Sequence, residues 1–441
     1  MRGWIRRGID ALAFALRRAH EETGRRDRAA LAVPPSARET GPLLRTILRE
    51  NIVPFWSARA PDSSGRGYRL HHDHEGVWKG PGPRSVVGQS RTLWSFARLA
   101  EAGLEPGRSR ASARIGFRFL RDRMWDAEHG GFFWAVDHRG DRPADTDKLL
   151  YGQAFAIYGL SRYAQVADDP SALRLARRTF ELLEDRLRDG RHGGYHDVAA
   201  RDWSTRRRPA GDRRRAITGR KTMNSHLHLM EALSGYCSVA GDPVARDRLG
   251  ELVLVLAGAV VRREVVACTE LFEPDWTPVR GPAADRVSYG HDVENVALLM
   301  DACRVLGRPD APLLELYRAL FANALRHGYD RRRGGFYAGG PLGRPADRRE
   351  KVWWVQAEGL AAALRMFLCT GDPVYQDCYL GILRWLVRHQ IDWERGSWHA
   401  TVTARGRPEG DKASGWKTPY HSVGAVLTCL ELLEEGRAGG R

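Results

Sequence analysis

The stretch VSYGHDVENV, Val287 to Val296, packs His291, Asp292 and Glu294 into four consecutive positions. His291 and Glu294 stand three apart, so a helix would set them on one face. A second H-x-x-E pair, His228 and Glu231, lies in KTMNSHLHLMEAL, and Asn224 extends it to an i, i+4, i+7 face. A third histidine, His421, sits in GWKTPYH. Such groups have three readings: metal ligands, acid–base groups of near-neutral pKa, or histidines satisfied inside a core. The metal reading lacks an H-E-x-x-H motif and a concentrated Asp/Glu set, and Arg91 in the same cavity would oppose a cation. His226 falls on another face of its helix and reads as structural. The choice depends on the elements that carry these residues.

A short string recurs along the chain. It reads DSSGRGYRL near Gly65, AEHGGFFWAVD at Gly130, GRHGGYHDV at Gly193, RRRGGFYAGG at Gly334 and WERGSWHAT at Gly396. The spacing is about 65 residues, with one copy missing near residue 265, a place that ELFEPDWTP (Glu270–Pro278) fills in degenerate form. Each string reads as a hairpin or loop, and two amphipathic helical stretches follow it. GDP or DDP, at 168–170, 241–243 and 371–373, separates the two helices of a pair, with proline suited to a helix start. A helical hairpin cannot bury its apolar face alone. Six of them predict an all-α fold, a closed (α/α)6 barrel of twelve helices with short β-hairpin or loop insertions. The first helix of each pair is strongly apolar, as an inner helix should be.

The polar exceptions on those inner helices are then the candidate site. They are Arg91 and Trp94; Tyr151 and Gln153; Asn224, His226, His228 and Glu231; His291, Asp292 and Glu294; Trp353, Trp354, Gln356 and Glu358; and Trp416, Lys417, Tyr420 and His421. Each set falls near a helix start, so a ring would gather them at one mouth. Aromatic faces suit the apolar faces of sugar rings, while arginine and asparagine suit hydroxyls.

The formal charge is +16, yet only six of the 70 basic residues are lysine. The arginines are scattered, with no zinc-finger spacing and no basic region followed by heptads, so nucleic-acid binding is not expected. Two clusters stand out, Arg206–Arg208 with Arg213–Arg215, and Arg331–Arg333. The six cysteines are far apart with no C-x-x-C, which predicts buried free thiols in a reducing, cytoplasmic compartment. No apolar run reaches membrane-spanning length. Residues 1–42 read as a basic extension bearing a short amphipathic helix, and 43–435 as the barrel.

From about residue 45 to 435 the chain resembles the N-acylglucosamine 2-epimerase superfamily, and within it the cellobiose 2-epimerases. IVPFW, QSRTLWSFA, KLLYGQAFAIYGLSRY, KTMNSHLHLMEA, SYGHDVE, KVWWVQAEG and GWKTPYH carry the resemblance, in that order. It implies an (α/α)6 barrel that inverts C2 of a free reducing sugar, mono- or disaccharide, without a metal or other cofactor, as monomer or homodimer. By motif it implies a sugar-binding role for Arg91 and pocket positions for Tyr151, Asn224 and His228. It makes His291 and His421 the acid–base pair, with Glu294 as supporting carboxylate, and Trp354, Glu358 and Trp416 substrate contacts. One position departs: where cellobiose epimerases carry tryptophan three residues after the glutamate of HDxE, this chain has Ala297.

The C2 proton of an open-chain aldose is acidic because the carbanion delocalises into the aldehyde as an enediolate. One of His291 and His421 is expected to remove it and the other to return it from the opposite face. Glu294 is expected to fix the tautomer of His291, Arg91 to steady the charge at O1 or O2, and His228 to assist ring opening or hold O1. Aldose–ketose isomerisation shares the enediolate and is the alternative; a glycoside hydrolase with Glu294 and Glu358 as its two carboxylates is a more distant one.

Overall fold

The computed structural model describes residues 32–205, 211, 212 and 214–438. The expected N-terminal amphipathic helix, and Arg206–Arg208 with Arg213, lie outside the described residues. Helices α1 (Gly41–Thr46) and α2 (Val53–Arg59) are joined by a π-turn, Ile47–Ile52. The chain continues through α3 (Val86–Glu101), α4 (Pro106–Phe119), α5 (Leu150–Ala167), α6 (Pro170–Arg186), α7 (Met223–Ala240) and α8 (Pro243–Leu254). It ends with α9 (Tyr289–Leu306), α10 (Leu314–His327), α11 (Trp353–Thr370), α12 (Pro373–Trp385) and α13 (Tyr420–Ala438).

The odd-numbered helices from α3 to α13 form the inner ring. Each packs on the next, and α13 packs on both α11 and α3, so the ring closes. The outer partner of α13 comes from the start of the chain, where α1 and the π-turn pack against it. The barrel therefore begins earlier than residue 43: Ala37 and Thr40 are buried, the Ala37 amide donates to Gln376 at 3.2 Å, and the Thr40 hydroxyl meets that of Tyr379 at 2.7 Å. The D-P steps work as helix starts. Asp169, Asp242 and Asp372 each cap with their side chain, and the proline that follows is the first helical residue.

The hairpins recur with one register. Pro61 pairs with Tyr68, Trp125 with Phe132, Arg188 with Tyr195, Tyr329 with Phe336 and Ile391 with Trp398. The fourth unit supplies Val261 with Cys268. The missing copy is thus VRREVVAC and not Glu270–Pro278. It has neither glycine nor aromatic, and Val266 itself adopts a left-handed φ of 50°. The Glu270–Pro278 stretch makes its own turn, with Phe272 paired to Pro278, and its Leu271–Phe272 forms a two-stranded sheet with Lys221–Thr222.

Two sets of side chains fix these hairpins to the ring. Asp126, Asp189, Asp330 and Asp392 each accept two backbone N–H groups of their own turn through Oδ1. Through Oδ2 they accept Lys148, Lys221, Lys351 and Lys412 at 3.0, 2.8, 2.9 and 2.6 Å. Four of the chain's six lysines are spent on this contact. From the inner helices, Gln89, Gln153, His226, Asp292 and Gln356 each accept the backbone N–H of the second hairpin strand at 2.7–2.9 Å. Gln153, Asp292 and Gln356, expected at the cavity, are therefore structural, because each satisfies a buried amide. His226 is structural as expected, its Nδ1 facing the Thr222 carbonyl at 2.7 Å. Among the described residues all six cysteines are unpaired, and no helix is long and apolar enough to cross a membrane.

Candidate active site

The N-terminal turns of the six inner helices converge on the barrel axis and bring the remaining polar residues into one pocket. Arg91 of α3 lies at its wall, with its guanidinium 4.1 Å from the Phe155 ring centroid, 5.0 Å from Tyr420 and 5.6 Å from Tyr151. Its Nη2 donates to the Tyr151 hydroxyl at 2.6 Å, while its buried Nε finds no partner among the described residues. An arginine packed among aromatic faces keeps its charge but loses most of its water, so it is strong where an anion develops.

Each of two histidines is backed by a carboxylate. Nδ1 of His228 lies 2.9 Å from Oε2 of Glu231, one turn along α7. Nδ1 of His421 lies 2.6 Å from Oε1 of Glu358, across from α13 to α11. The tautomer that donates Nδ1–H to the carboxylate leaves Nε2 as the free acceptor. The other oxygen of Glu231 accepts a short hydrogen bond from the Tyr420 hydroxyl.

The expected His291–Glu294 pair is not formed. His291 packs on Trp354, with ring centroids 4.9 Å apart, and the same indole lies 5.8 Å from the ring of His421. One indole thus contacts both histidines. Glu294 turns away, placing Oε1 4.0 Å from Nε2 of His228, and its Oε2 is buried without a partner. Burial first, then the charges of Glu358 and Glu231, push Glu294 well above the carboxylate range. With Oε1 facing His228 and Oε2 unpaired, Glu294 is not the group that orients His291. Glu358, expected only as a substrate contact, takes the orienting role, toward His421.

Burial, helped by the like charges of the pocket, holds the histidines neutral. His291 is lowered to about 3 by burial, then by His228 and Arg91. His421 is lowered well below its ordinary value by burial, then by Arg91, His228 and His291, and His228 is lowered by burial. Glu358 is raised to about 8, by burial and then by Glu231. Glu294, Glu358 and His421 also offer ligand atoms within 4.8 Å of one another, the place among the described residues where a cation would be held. Arg91 lowers the pKa of His421 and of Glu358, and that positive field opposes a second cation.

The rim carries the remaining expected residues. Trp416 is 55% exposed, a large aromatic open to solvent at the mouth, 6.0 Å from Tyr151 and 6.1 Å from Trp134. Asn224, one turn before His228, has a buried Oδ1 with no protein partner. Trp353 sits beside Lys417 and 6.4 Å from the ring of His421, as packing. Ala297 is elsewhere. It lines a cavity of about 420 Å³ between the C-terminal halves of the inner helices, with Ser234, Asp301 and Arg365, and Glu231, Glu358 and Tyr420 also line it. Sequence reading underrated Glu231 and Tyr420; the signal was their helical register with His228 and their place beside His421.

This chain is similar to known sugar-converting proteins over nearly its whole length. The profile of the N-acylglucosamine 2-epimerase (GlcNAc 2-epimerase) family matches residues 67–425. A cellobiose 2-epimerase of Bacteroides fragilis is 31% identical over 396 residues, spanning 88% of this chain and 97% of its own. A D-mannose isomerase of Marinomonas mediterranea is 25% identical, over 87% of this chain and 95% of its own. The solved cellobiose 2-epimerase of Spirochaeta thermophila superposes with a TM-score of 0.81 at 32% identity, covering 92% of this chain and 99% of that one. The chain belongs to the N-acylglucosamine 2-epimerase family.

Proposed function

We propose that the protein is a carbohydrate 2-epimerase that inverts C2 of a free reducing sugar by proton removal and return. The observation that carries this reading is the placement of two histidines held neutral, the half-buried His291 and the buried His421, both against Trp354 and near Arg91. A neutral imidazole is the form that accepts a proton, and two of them can serve the two faces of C2. In one direction neutral His291 takes the C2 proton, and the proton shared by His421 and Glu358 is delivered from His421 to the opposite face, so that the enzyme ends with its one proton on His291. The reverse direction exchanges the two roles. Arg91 donates to the enediolate oxygens, where charge grows only in the transition state.

The D-mannose isomerase relative supports one alternative on the same groups, return of the proton to C1. Incubation with glucose, mannose, cellobiose and N-acetylglucosamine in heavy water, followed by NMR, separates the two. Deuterium at C2 of a 2-epimer is expected. Deuterium at C1 of a ketose indicates isomerisation, and no exchange with any aldose overturns the reading. A chelator is expected to leave the rate unchanged. We place the enzyme in the cytoplasm, as monomer or homodimer, with a sugar and no nucleic acid as its ligand.

A further inference from the structure

Lys417 is the one lysine of six with no carboxylate partner among the described residues; Lys79, Lys148, Lys221, Lys351 and Lys412 each bond an aspartate. It is buried, with Nζ 5.7 Å from the ring centroids of both Trp56 and Trp353. Its Nζ donates to the backbone carbonyl of Lys412 at 2.9 Å. Burial first, then Lys412, lowers its pKa to about 7, and an amine in either protonation state donates one N–H. This bond therefore needs no counter-charge. It closes the turn 412–417 from behind. Inside the turn, the Ser414 amide donates to the Lys417 carbonyl at 3.0 Å, and Ser414 Oγ accepts the amides of Trp416 and Lys417 at 3.2 and 3.0 Å.

The base of this turn is fixed. Lys412 Nζ donates to Asp392 and to the Gly396 carbonyl, each at 2.6 Å, and Ala413 pairs with His72. Its apex comes close to the first turn of α3, where a Cβ on Gly88 would meet the Gly415 carbonyl oxygen at 3.1 Å. That apex carries Trp416, the exposed indole at the mouth, 6.0 Å from Tyr151 and 6.1 Å from Trp134. An aromatic face held open there suits the apolar face of a sugar ring, provided that the turn beneath it keeps one shape. The helix that follows, α13, is pinned by other contacts, Tyr420 to Glu231 and His421 to Glu358. We propose that Lys417 is a positioning residue that holds Trp416 at the mouth against the bound sugar, and so sets substrate affinity and not the chemical step. The inference rests on the epimerase reading. Lys417 touches no sugar itself; it acts through the turn. A contact made equally with substrate and transition state lowers KM and leaves kcat alone.

Steady-state kinetics test this, on each of glucose, mannose and cellobiose that the wild type epimerises. Lys417→Met keeps an unbranched side chain and removes the donor; Ser414→Ala removes the acceptor of the Trp416 and Lys417 amides. Both are expected to raise KM about fivefold or more while kcat stays within about twofold of wild type. Trp416→Ala is expected to raise KM at least as far. Lys417→Met added to Trp416→Ala should change KM by less than about twofold, because residues that act as one unit are not additive. Placement is read separately by fluorine NMR of protein labelled with 5-fluorotryptophan, in which the Trp416 signal is identified by its loss in Trp416→Phe. Lys417→Met is expected to shift or broaden that signal. Lys417→Met that fails to fold leaves Ser414→Ala to decide on the same measurements. An unchanged KM, a kcat that falls further than KM rises, a KM penalty that multiplies in the double variant, or an unmoved Trp416 signal overturns the role of Lys417. A wild type that epimerises none of these sugars overturns the epimerase reading, and the Trp416 signal then decides by itself whether Lys417 positions the indole.

Discussion

Glu358, on α11, holds Oε1 2.6 Å from Nδ1 of His421, the second residue of the neighbouring inner helix α13. His291 has no such carboxylate and rests on the indole of Trp354 instead. The two bases are thus differently supported, and their contributions can be told apart. His291→Ala is expected to abolish inversion, lowering it about 10²- to 10⁴-fold. It should leave His421 able to exchange the C2 proton of one epimer with solvent. His421→Ala should leave exchange only in the other epimer. Recovered substrate, examined by NMR for C2 deuterium without inversion, checks this; exchange of both epimers by either variant overturns the two-base arrangement.

The same pair sets a pH limit. Glu358 is raised to about 8 by burial and by Glu231, so below that value the pair retains a proton that it can deliver. In either direction the working enzyme must hold one proton between its two bases, and losing it stops both directions. kcat/KM is therefore expected to fall about tenfold per pH unit above 8 for both epimers. It should hold through pH 5 on the acid side, because His291 stays neutral to about 3. Glu358→Gln should remove the alkaline limb while lowering the rate; a limb that persists in that variant assigns it to another group.

Gly290 lets this array close. A Cβ there would meet ring carbons of Trp354 at 2.6 and 2.7 Å and the Val355 side chain at 2.9 Å. The glycine sits in the first turn of α9, directly before His291, so the indole must move if it is substituted. Gly290→Ala is expected to lower kcat at least tenfold while costing about 1–3 kcal/mol of stability, the range for overpacking. Equilibrium urea unfolding beside steady-state rates checks the split.

The lysine contacts make a stability prediction. The Lys221 ammonium is buried and donates to Asp189 at 2.8 Å and to the carbonyls of Gly193 and Pro274, each at 2.6 Å. Three acceptors in three directions match an ammonium and not the flat fork of a guanidinium. This explains why a chain so rich in arginine keeps lysine here. Lys221→Met leaves a buried carboxylate unpaired and is expected to cost about 3–5 kcal/mol. Lys221→Arg should also destabilise, although it keeps the charge. Thermal melting of both variants is the measurement, and an arginine variant as stable as wild type removes the explanation.

The fold was legible because its repeat is carried by local chemistry. Glycine turns, D-P helix starts and apolar inner helices each have a sequence signature, and together they required six hairpins. The fourth unit escaped because a hairpin can hold its register without its signature: Val266 takes the left-handed backbone that glycine takes elsewhere. The histidines were legible by position, since inner-helix starts must meet at the axis. Their partners were not. Two H-x-x-E pairs are identical on paper, yet His228 bonds Glu231 whereas His291 leaves Glu294 and packs on Trp354. That difference comes from residues on neighbouring helices, which no spacing within one helix encodes. Gln153 and Gln356 misled in the opposite sense, because their partners are backbone amides of hairpins about twenty residues upstream.

His226 occupies the position that glutamine fills in three other units, and it accepts the Tyr195 amide just as Gln89, Gln153 and Gln356 accept theirs. A histidine doing this work must remain neutral. Burial, the largest influence, lowers it to about 4. In the unfolded chain it takes up a proton below about pH 6.5. Between those values the unfolded state binds the extra proton, so this residue's contribution is intact above 6.5 and is lost as pH falls toward 4. The loss runs to about 1.4 kcal/mol for each pH unit. His226→Gln can make the same acceptor bond without titrating. It is expected to match wild type within about 1 kcal/mol at pH 7.5, as substitutions that keep the hydrogen bond do, and to become progressively the more stable protein between pH 6.5 and 4. Urea midpoints at pH 7.5, 6, 5 and 4.5 measure the difference, and a gap that does not widen on acidification shows that His226 is not the residue that titrates.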